Sequence, residues 1–482
     1  MFRKSILSLS RTAPTTAGGT LAAVAMVQFL VSLDLSIVNV ALPQIADTLG
    51  FGATDASWII HAYALTFGGL LLLGGKIADR YGRRALVLVG LSIFAVASLG
   101  GTFVQDPLSL VVARGAQGMG AAALAPAALA SLSTAFPTGS ARVRAFAAWG
   151  AMNAAGGAFG VLLGGVLAEY AGWRWVMFVN VPMAVIAIVL AWRGIPAGTG
   201  ERDRRGADVL GAVLVTLGMG SLVYGIVAVG DHPLTSPEAS LPLIVAAALL
   251  TALVIVERTT RRDPVFPLRL VTERSIIGAN LCNVLIGASM ASAFYFVSLY
   301  LQRVLLHGPA LTGVEFVPFS LGVILGSILA GRLGKRLRPL TLLIAGILTT
   351  ALGFAWFGLS FSPDAGFLTS VLGPSVVSSI GFGVCLGPVV SIATAGVAQS
   401  EAGSASGLLN ATRQIGASLG LAVLGTAAAV RSGGSADPQA LSSGYAVGML
   451  LSAVLLIAAA AIALLLIRSG RRSSSSRAAA AS

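Results

Sequence analysis

Long apolar runs without charge alternate along this chain with short segments that hold most of its ionisable residues. The run Trp58 to Gly74 has no charged residue, whereas the ten residues after it, Gly75 to Arg84 (G-K-I-A-D-R-Y-G-R-R), hold five. Crossing a hydrocarbon core of about 30 Å takes a helix of roughly 20 apolar residues. Apolar segments of suitable length recur fourteen times, near 20–44, 57–75, 85–104, 108–133, 145–168, 174–193, 207–230, 241–257, 275–301, 312–331, 340–359, 366–395, 404–430 and 444–467. Open sheet edges would leave polar backbone groups unsatisfied in lipid. The pattern therefore predicts an all-α membrane protein whose termini share one face.

Spacing of the charged linkers divides the spans into six, two and six. Residues 1–19 form an N-terminal tail and 20–194 a six-helix half. Residues 195–274 hold two further helices with their linkers, 275–467 a second six-helix half, and 468–482 a Ser-, Arg- and Ala-rich tail expected to be disordered. Arg3, Lys4 and Arg11 precede the first apolar run, which is too long for a cleaved signal and is read as a retained helix. If the halves are repeats, their second-to-third-helix loops should correspond. Gly75 to Arg84 does have a counterpart in G-R-L-G-K-R-L-R-P, Gly331 to Pro339, with Lys335 at the place of Asp79 and Arg338 at that of Gly82. A short inner loop also becomes basic for orientation alone. Paired halves around a midplane site are a recurring transporter design.

Composition sharpens this picture. The chain is 56% hydrophobic and 10% charged, with mean hydropathy +0.90. Of its 31 Lys and Arg, Arg174, Arg303 and Arg431 fall on the outer side and Arg114 and Arg413 within spans; the rest lie on the side of the termini. By the positive-inside rule that side is the cytoplasm, and the protein is expected to be multi-pass in a bacterial cytoplasmic membrane. The formal charge of +13 then orients helices and meets anionic lipid, and nucleic acid is not expected as a partner. Cys282 and Cys385 lie in spans without paired spacing and read as packing residues, not as disulfide or metal ligands. No phosphate-binding loop is present, and none of the three His is expected to pair with an acid in a span. An enzyme is not expected, nor a cofactor or metal; by elimination an ion gradient supplies the energy.

The loop Gly75 to Arg84 resembles the signature between the second and third helices of the major facilitator superfamily. Further stretches are similar to the fourteen-helix drug:proton antiporters of that family: L-D-L-S-I-V-N-V-A-L-P (Leu33 to Pro43), R-G-A-Q-G-M-G-A-A (Arg114 to Ala122), W-R-W-V-M-F-V-N-V-P (Trp173 to Pro182) and G-L-L-N-A-T-R-Q-I-G-A-S-L-G (Gly407 to Gly420). The resemblance implies two six-helix halves plus two extra central helices. It also implies proton-coupled efflux of an amphipathic small molecule, with protons and lipid as the other partners and a monomer as the working unit. In the fifth helix such exporters carry Gly-Pro followed by Gly-Gly. This chain reads G-V-L-L-G-G, with Val161 in place of the proline. The kink is thus lost, while Gly156, Gly160, Gly164 and Gly165 keep a spacing that lets helices approach closely. A pump dedicated to one antibiotic and an uptake symporter remain alternatives.

Asp34 is the acid set deepest in a predicted span, and an intramembrane carboxylate marks function because it is costly to keep there. Arg114 lies at a compatible depth and is the expected partner, together forming the proton-coupling pair. Ser36 and Asn39 beside Asp34 imply that part of the first helix lines a wet cavity. Asn39, Gln117, Asn280, Asn283, Asn410, Arg413 and Gln414 are the substrate-cavity candidates. Ser406, Asn410, Arg413 and Gln414 share a helix face, so a structural polar seam explains them equally well. Gly75, Asp79, Arg80, Gly82, Arg83 and Arg84 are read as a gate on the cytoplasmic side. Glu315 and His61 are read as interfacial. Trp58, Tyr63, Tyr295, Phe296 and Tyr300 suit either a cationic ligand or the interfacial belt.

Overall fold

The computed structural model describes residues 13–52, 55–137, 139–197, 209–230, 232–259, 273–394 and 402–467. Among them 14 helices are long and apolar enough to cross a membrane. The first half holds α1 (Ala17–Leu49), α2 (Asp55–Ala78), α3 (Arg83–Thr102), α4 (Pro107–Ala135), α5 (Arg144–Tyr170) and α6 (Arg174–Gly194). Between the halves run α7 (Val209–Ala228) and α8 (Pro237–Thr259). The second half holds α9 (Arg274–Val304), α10 (Pro309–Leu333), α11 (Pro339–Ser360), α12 (Leu368–Ala393), α13 (Gly407–Ser432) and α14 (Pro438–Ile467).

Each helix matches a predicted segment, but several run further. Apolarity marks the hydrocarbon, whereas a helix continues into polar surroundings until a cap ends it. At α4 the cap is Asp106, whose carboxylate accepts from the Ser109 N–H at 2.9 Å just ahead of Pro107. The largest difference is in α1, which passes through Pro43 to Leu49 and so carries Asp47 to its end.

Helix neighbours repeat from one half to the other. In the first half α1 packs on α5 and α6, α4 on α2 and α3, and α3 on α6; in the second α9 packs on α13 and α14, α12 on α10 and α11, and α11 on α14. The halves meet at two equivalent seams, α2 with α13 and α5 with α10. The extra pair is central only in sequence. α7 and α8 pack on each other, and α7 lies against α2 and α13, outside one seam.

Glycines set the closest approaches. A Cβ on Gly156, Gly160 or Gly164 of α5 would stand 2.5, 2.6 and 2.6 Å from the carbonyl oxygens of Phe29, Leu33 and Ile37 on α1. On α13, Gly416 and Gly420 meet Val284 and Ala288 of α9 in the same way. Gly165 faces the Pro309 carbonyl of α10 across the second seam, at 2.3 Å from an added Cβ. The α5 helix is continuous through Val161.

The two related loops differ in backbone. Gly82 joins α2 to α3 at φ 96, a conformation that favours glycine, while Arg338 before α11 has φ −70. An arginine can occupy the second position because no left-handed turn is made there.

At the face opposite the termini, α1 and α5 are tied to the other half. Asp47 pairs with Arg303, the Gln302 amide donates to the Val40 carbonyl at 2.9 Å, and Glu169 accepts from the Ala310 N–H at 2.8 Å.

Candidate functional site: a caged ion pair and a polar stripe

Three faces of α1 do three different things. Phe29, Leu33 and Ile37 receive the glycines of α5. Gln28, Ser32, Ser36 and Asn39 form a polar stripe, of which Gln28, Ser36 and Asn39 are partly accessible. Asp34 points away from that stripe and is 0% exposed.

The Asp34 carboxylate is saturated with donors. Arg114 Nη1 donates to one oxygen at 2.8 Å, and the other accepts from Asn180 Nδ2 at 2.8 Å and Gln117 Nε2 at 3.4 Å. Arg114 is held from four sides. Its Nε donates to the Ile59 carbonyl at 3.1 Å, its Nη1 also to Gln117 Oε1 at 2.8 Å, and its guanidinium lies 4.6 Å from the Tyr63 ring centroid. Gln117 in turn donates to Ser98 Oγ at 2.7 Å. The cage thus joins α1, α2, α3, α4 and α6 of one half. Buried groups in a low-dielectric site interact strongly when all are satisfied. Two atoms here are not: Asn180 Oδ1 and the Tyr63 hydroxyl are buried without a partner.

This geometry redraws several of the expected roles. Gln117 is 0% exposed and belongs to the ion-pair cage, not to a cavity wall, because its neighbours Arg114 and Ser98 consume its amide. Asn280 donates to the Ile276 carbonyl at 2.9 Å and accepts from Thr412 Oγ1 at 3.1 Å, and Asn283 donates to the Leu409 carbonyl. Both are buried and spent tying α9 and α13 together. His61 is not interfacial. It is 0% exposed, and its Nδ1 lies 3.0 Å from Ser418 Oγ in the α2–α13 seam. Glu315 is likewise buried, and His307, expected to be unpaired, folds back over the start of α10 to put Nδ1 3.0 Å from Glu315 Oε2. Tyr63 is a wall of the cage, not a belt residue, and Tyr295, Phe296 and Tyr300 are buried in the apolar core.

At the loop face, Arg83 donates to the Ala130 carbonyl at 3.2 Å and to the Thr134 hydroxyl, binding the start of α3 to the end of α4. Arg80 lies over the Tyr81 ring and Arg84 over Trp192. A Cβ at Gly75 would touch only Pro126, at 3.7 Å, so that glycine is not needed for packing. The side chains of Asp79 and Ser406 lie outside the described residues.

Sequence reasoning missed Asn180. It sits in the quoted stretch Trp173 to Pro182, and its signal was an amide inside an otherwise apolar run. A second cluster was missed beside it, on the α1 stripe, where Gln28 Nε2 donates to Asn153 Oδ1 at 2.7 Å and to Ser32 Oγ at 3.1 Å.

The chain as a whole matches a known group. The Major Facilitator Superfamily profile covers residues 24–421. The chain belongs to the major facilitator superfamily. It is a multi-pass membrane transporter, and its relatives include drug exporters and resistance proteins. The cephamycin export protein CmcT of Amycolatopsis lactamdurans is 39% identical over 439 residues, 90% of this chain and 89% of that protein. The puromycin resistance protein pur8 of Streptomyces alboniger is 40% identical over 407 residues, 83% of this chain and 79% of that one. The multidrug resistance protein Stp of Mycobacterium tuberculosis (strain CDC 1551 / Oshkosh) is 32% identical over 421 residues, 87% and 77% of the two chains. Among solved structures, the POT family transporter PepTSo superposes with TM-score 0.69 at 17% identity, over 96% of this chain and 99% of that one. That likeness is one of fold.

Proposed function

We propose that this transporter expels amphipathic toxic compounds from the bacterial cytoplasm across the plasma membrane in exchange for protons, with Asp34 as the proton-binding group. The observation that carries the reading is the sealed carboxylate of Asp34, 0% exposed and balanced by Arg114 at 2.8 Å. A proton on Asp34 removes one half of the pair and leaves Arg114 without a counter-charge. Breaking a buried pair from one side costs about 3–5 kcal/mol, enough to drive a shift between two states of the bundle.

A packed route leads from that event to the other half. The α1 segment bearing Asp34 lies backbone to backbone on the glycines of α5, and α5 meets α10 through Gly165 and Val161. Small movements of α1 therefore bear directly on a seam between the halves. Basic residues on the side of the termini support a cytoplasmic location for both ends. The cage is completed within one chain, which supports a monomer as the working unit.

The test is efflux from inverted vesicles. Asp34→Asn should abolish transport driven by a proton gradient, and undiminished gradient-driven transport would refute the assignment. A second reading is a pump dedicated to one antibiotic, favoured by relatives near 40% identity named for cephamycin export and puromycin resistance. Resistance confined to one chemical class across a broad panel would select it.

A further inference from the structure

Arg413 differs from Arg114 in one respect that bears on what is carried. Arg114 is enclosed by acceptors, whereas Arg413 has no hydrogen-bond or ion-pair partner among the described residues. The next residue, Gln414, is 6% exposed and packs against Gly68 of α2, with its Nε2 buried without a partner. Arg413 is instead partly accessible, a cation in the middle of a membrane protein with no counter-charge among the described residues. Leaving a buried donor unpaired costs about 1–3 kcal/mol, more for a charge, so such groups call for an acceptor from elsewhere.

Helix geometry shows where Arg413 stands. α13 turns Gly416 and Gly420 to α9, Ala411 and Gln414 to α2, and Ile415, Leu419 and Ala422 to α7. Between the α9 and α2 sides and opposite α7 lies the stripe Asn410, Arg413 and Ala417, each partly accessible, while α14 meets α13 further along, at Ala428 and Ser432. Because α2 belongs to the other half and α7 is peripheral, this stripe looks into the space enclosed by the halves.

Acids that could hold a cation are committed elsewhere. Both Asp34 oxygens are occupied, Glu315 is engaged by His307, and Glu257 ends the peripheral α8. From these contacts we propose that Arg413 forms an anion-binding subsite on this stripe, so that the preferred cargo is an amphipathic anion, carboxylate or sulfonate. This substrate class rests on the export reading given above.

The test uses the full chain in nanodiscs of neutral lipid, with empty nanodiscs as the blank and three probes on one pyrene skeleton: a sulfonate, its neutral sulfonamide and a trimethylammonium. The sulfonate should bind tightest. Arg413→Gln should weaken it at least about tenfold, the value of one charged hydrogen bond, and leave the sulfonamide unchanged. Arg413→Lys should retain part of the preference. Unchanged binding of the sulfonamide by Arg413→Gln guards against misfolding of that variant. Tightest binding of the ammonium, equal loss for all three probes, or binding of none overturns the subsite. The export reading is judged separately. Sulfonate binding without gradient-driven efflux refutes export while the subsite stands, and efflux that ignores Arg413 does the reverse.

Discussion

Removing the two charges of the cage together should harm the protein less than removing either one. Asp34→Asn leaves Arg114 with the Ile59 carbonyl, Gln117 Oε1 and the Tyr63 ring, but without a counter-ion. The new amide can be served by Asn180, whose Oδ1 is free to accept once its own amide rotates. This variant should therefore fall at the low end of the about 3–5 kcal/mol expected for breaking a buried pair. Arg114→Gln leaves Asp34 without its counter-charge and with only the Asn180 and Gln117 amides, at 2.8 and 3.4 Å, and should fall at the high end. In the double variant no charge is stranded, and neutral hydrogen bonding limits the loss to about 1–2 kcal/mol. Membrane proteins commonly unfold irreversibly, so the readout is the ranking of apparent Tm at one scan rate in one detergent. At about 1–2 °C per kcal/mol for a chain of this size, the singles should melt several degrees below the parent and the double variant between. A double variant that melts at or below the sum of the two single losses would refute a mutually compensating pair.

Two further outcomes follow from the packing and the caps. Gly160→Val should lose at least about tenfold in transport with about 1–3 kcal/mol of overpacking, because even its Cβ lies 2.6 Å from the Leu33 carbonyl, whereas Gly157→Ala, whose Cβ meets only Ser36 Oγ at 3.7 Å, should pass as a matched control in the same efflux assay. The Asp106 carboxyl is held below its usual range, first by the Ser109 hydroxyl and then by the Ser109 N–H. A group lowered on folding stabilises above its unfolded range and loses that contribution as pH falls through the folded value. Asp106→Ala should therefore melt below the parent at neutral pH and converge with it in acid; a gap independent of pH would show that the carboxylate is not its source.

The ion pair was legible because few residues compete for the role. Asp34 is the acid deepest in a predicted span, and helix rise alone brings Arg114 to its depth. What could not be read was which neighbour each face meets. Gln117 shares the helix face of Arg114 by spacing, but spacing does not say that the face is sealed by α1 and α3. Asn280 and Asn283 look like cavity residues in a sequence, yet buried amides also satisfy themselves on the next helix. His61 lies near the start of α2, where an interfacial place is expected; only the docking of α13 buries it. The glycines of α5 were legible as contact points, since a four-residue spacing has little other use, but their partner was not.

The two seams between the halves, though related by the repeat, are not equivalent toward the bilayer. α7 lies along the α2–α13 seam and shields it from lipid, while among the described residues no third span covers α5 and α10. Any compound dissolved in the membrane that reaches the space between the halves sideways is left with a single doorway, and its threshold is Gly165 against Pro309 and Gly313 against Val161. The added helix pair thus gives a nearly symmetric machine a front and a back.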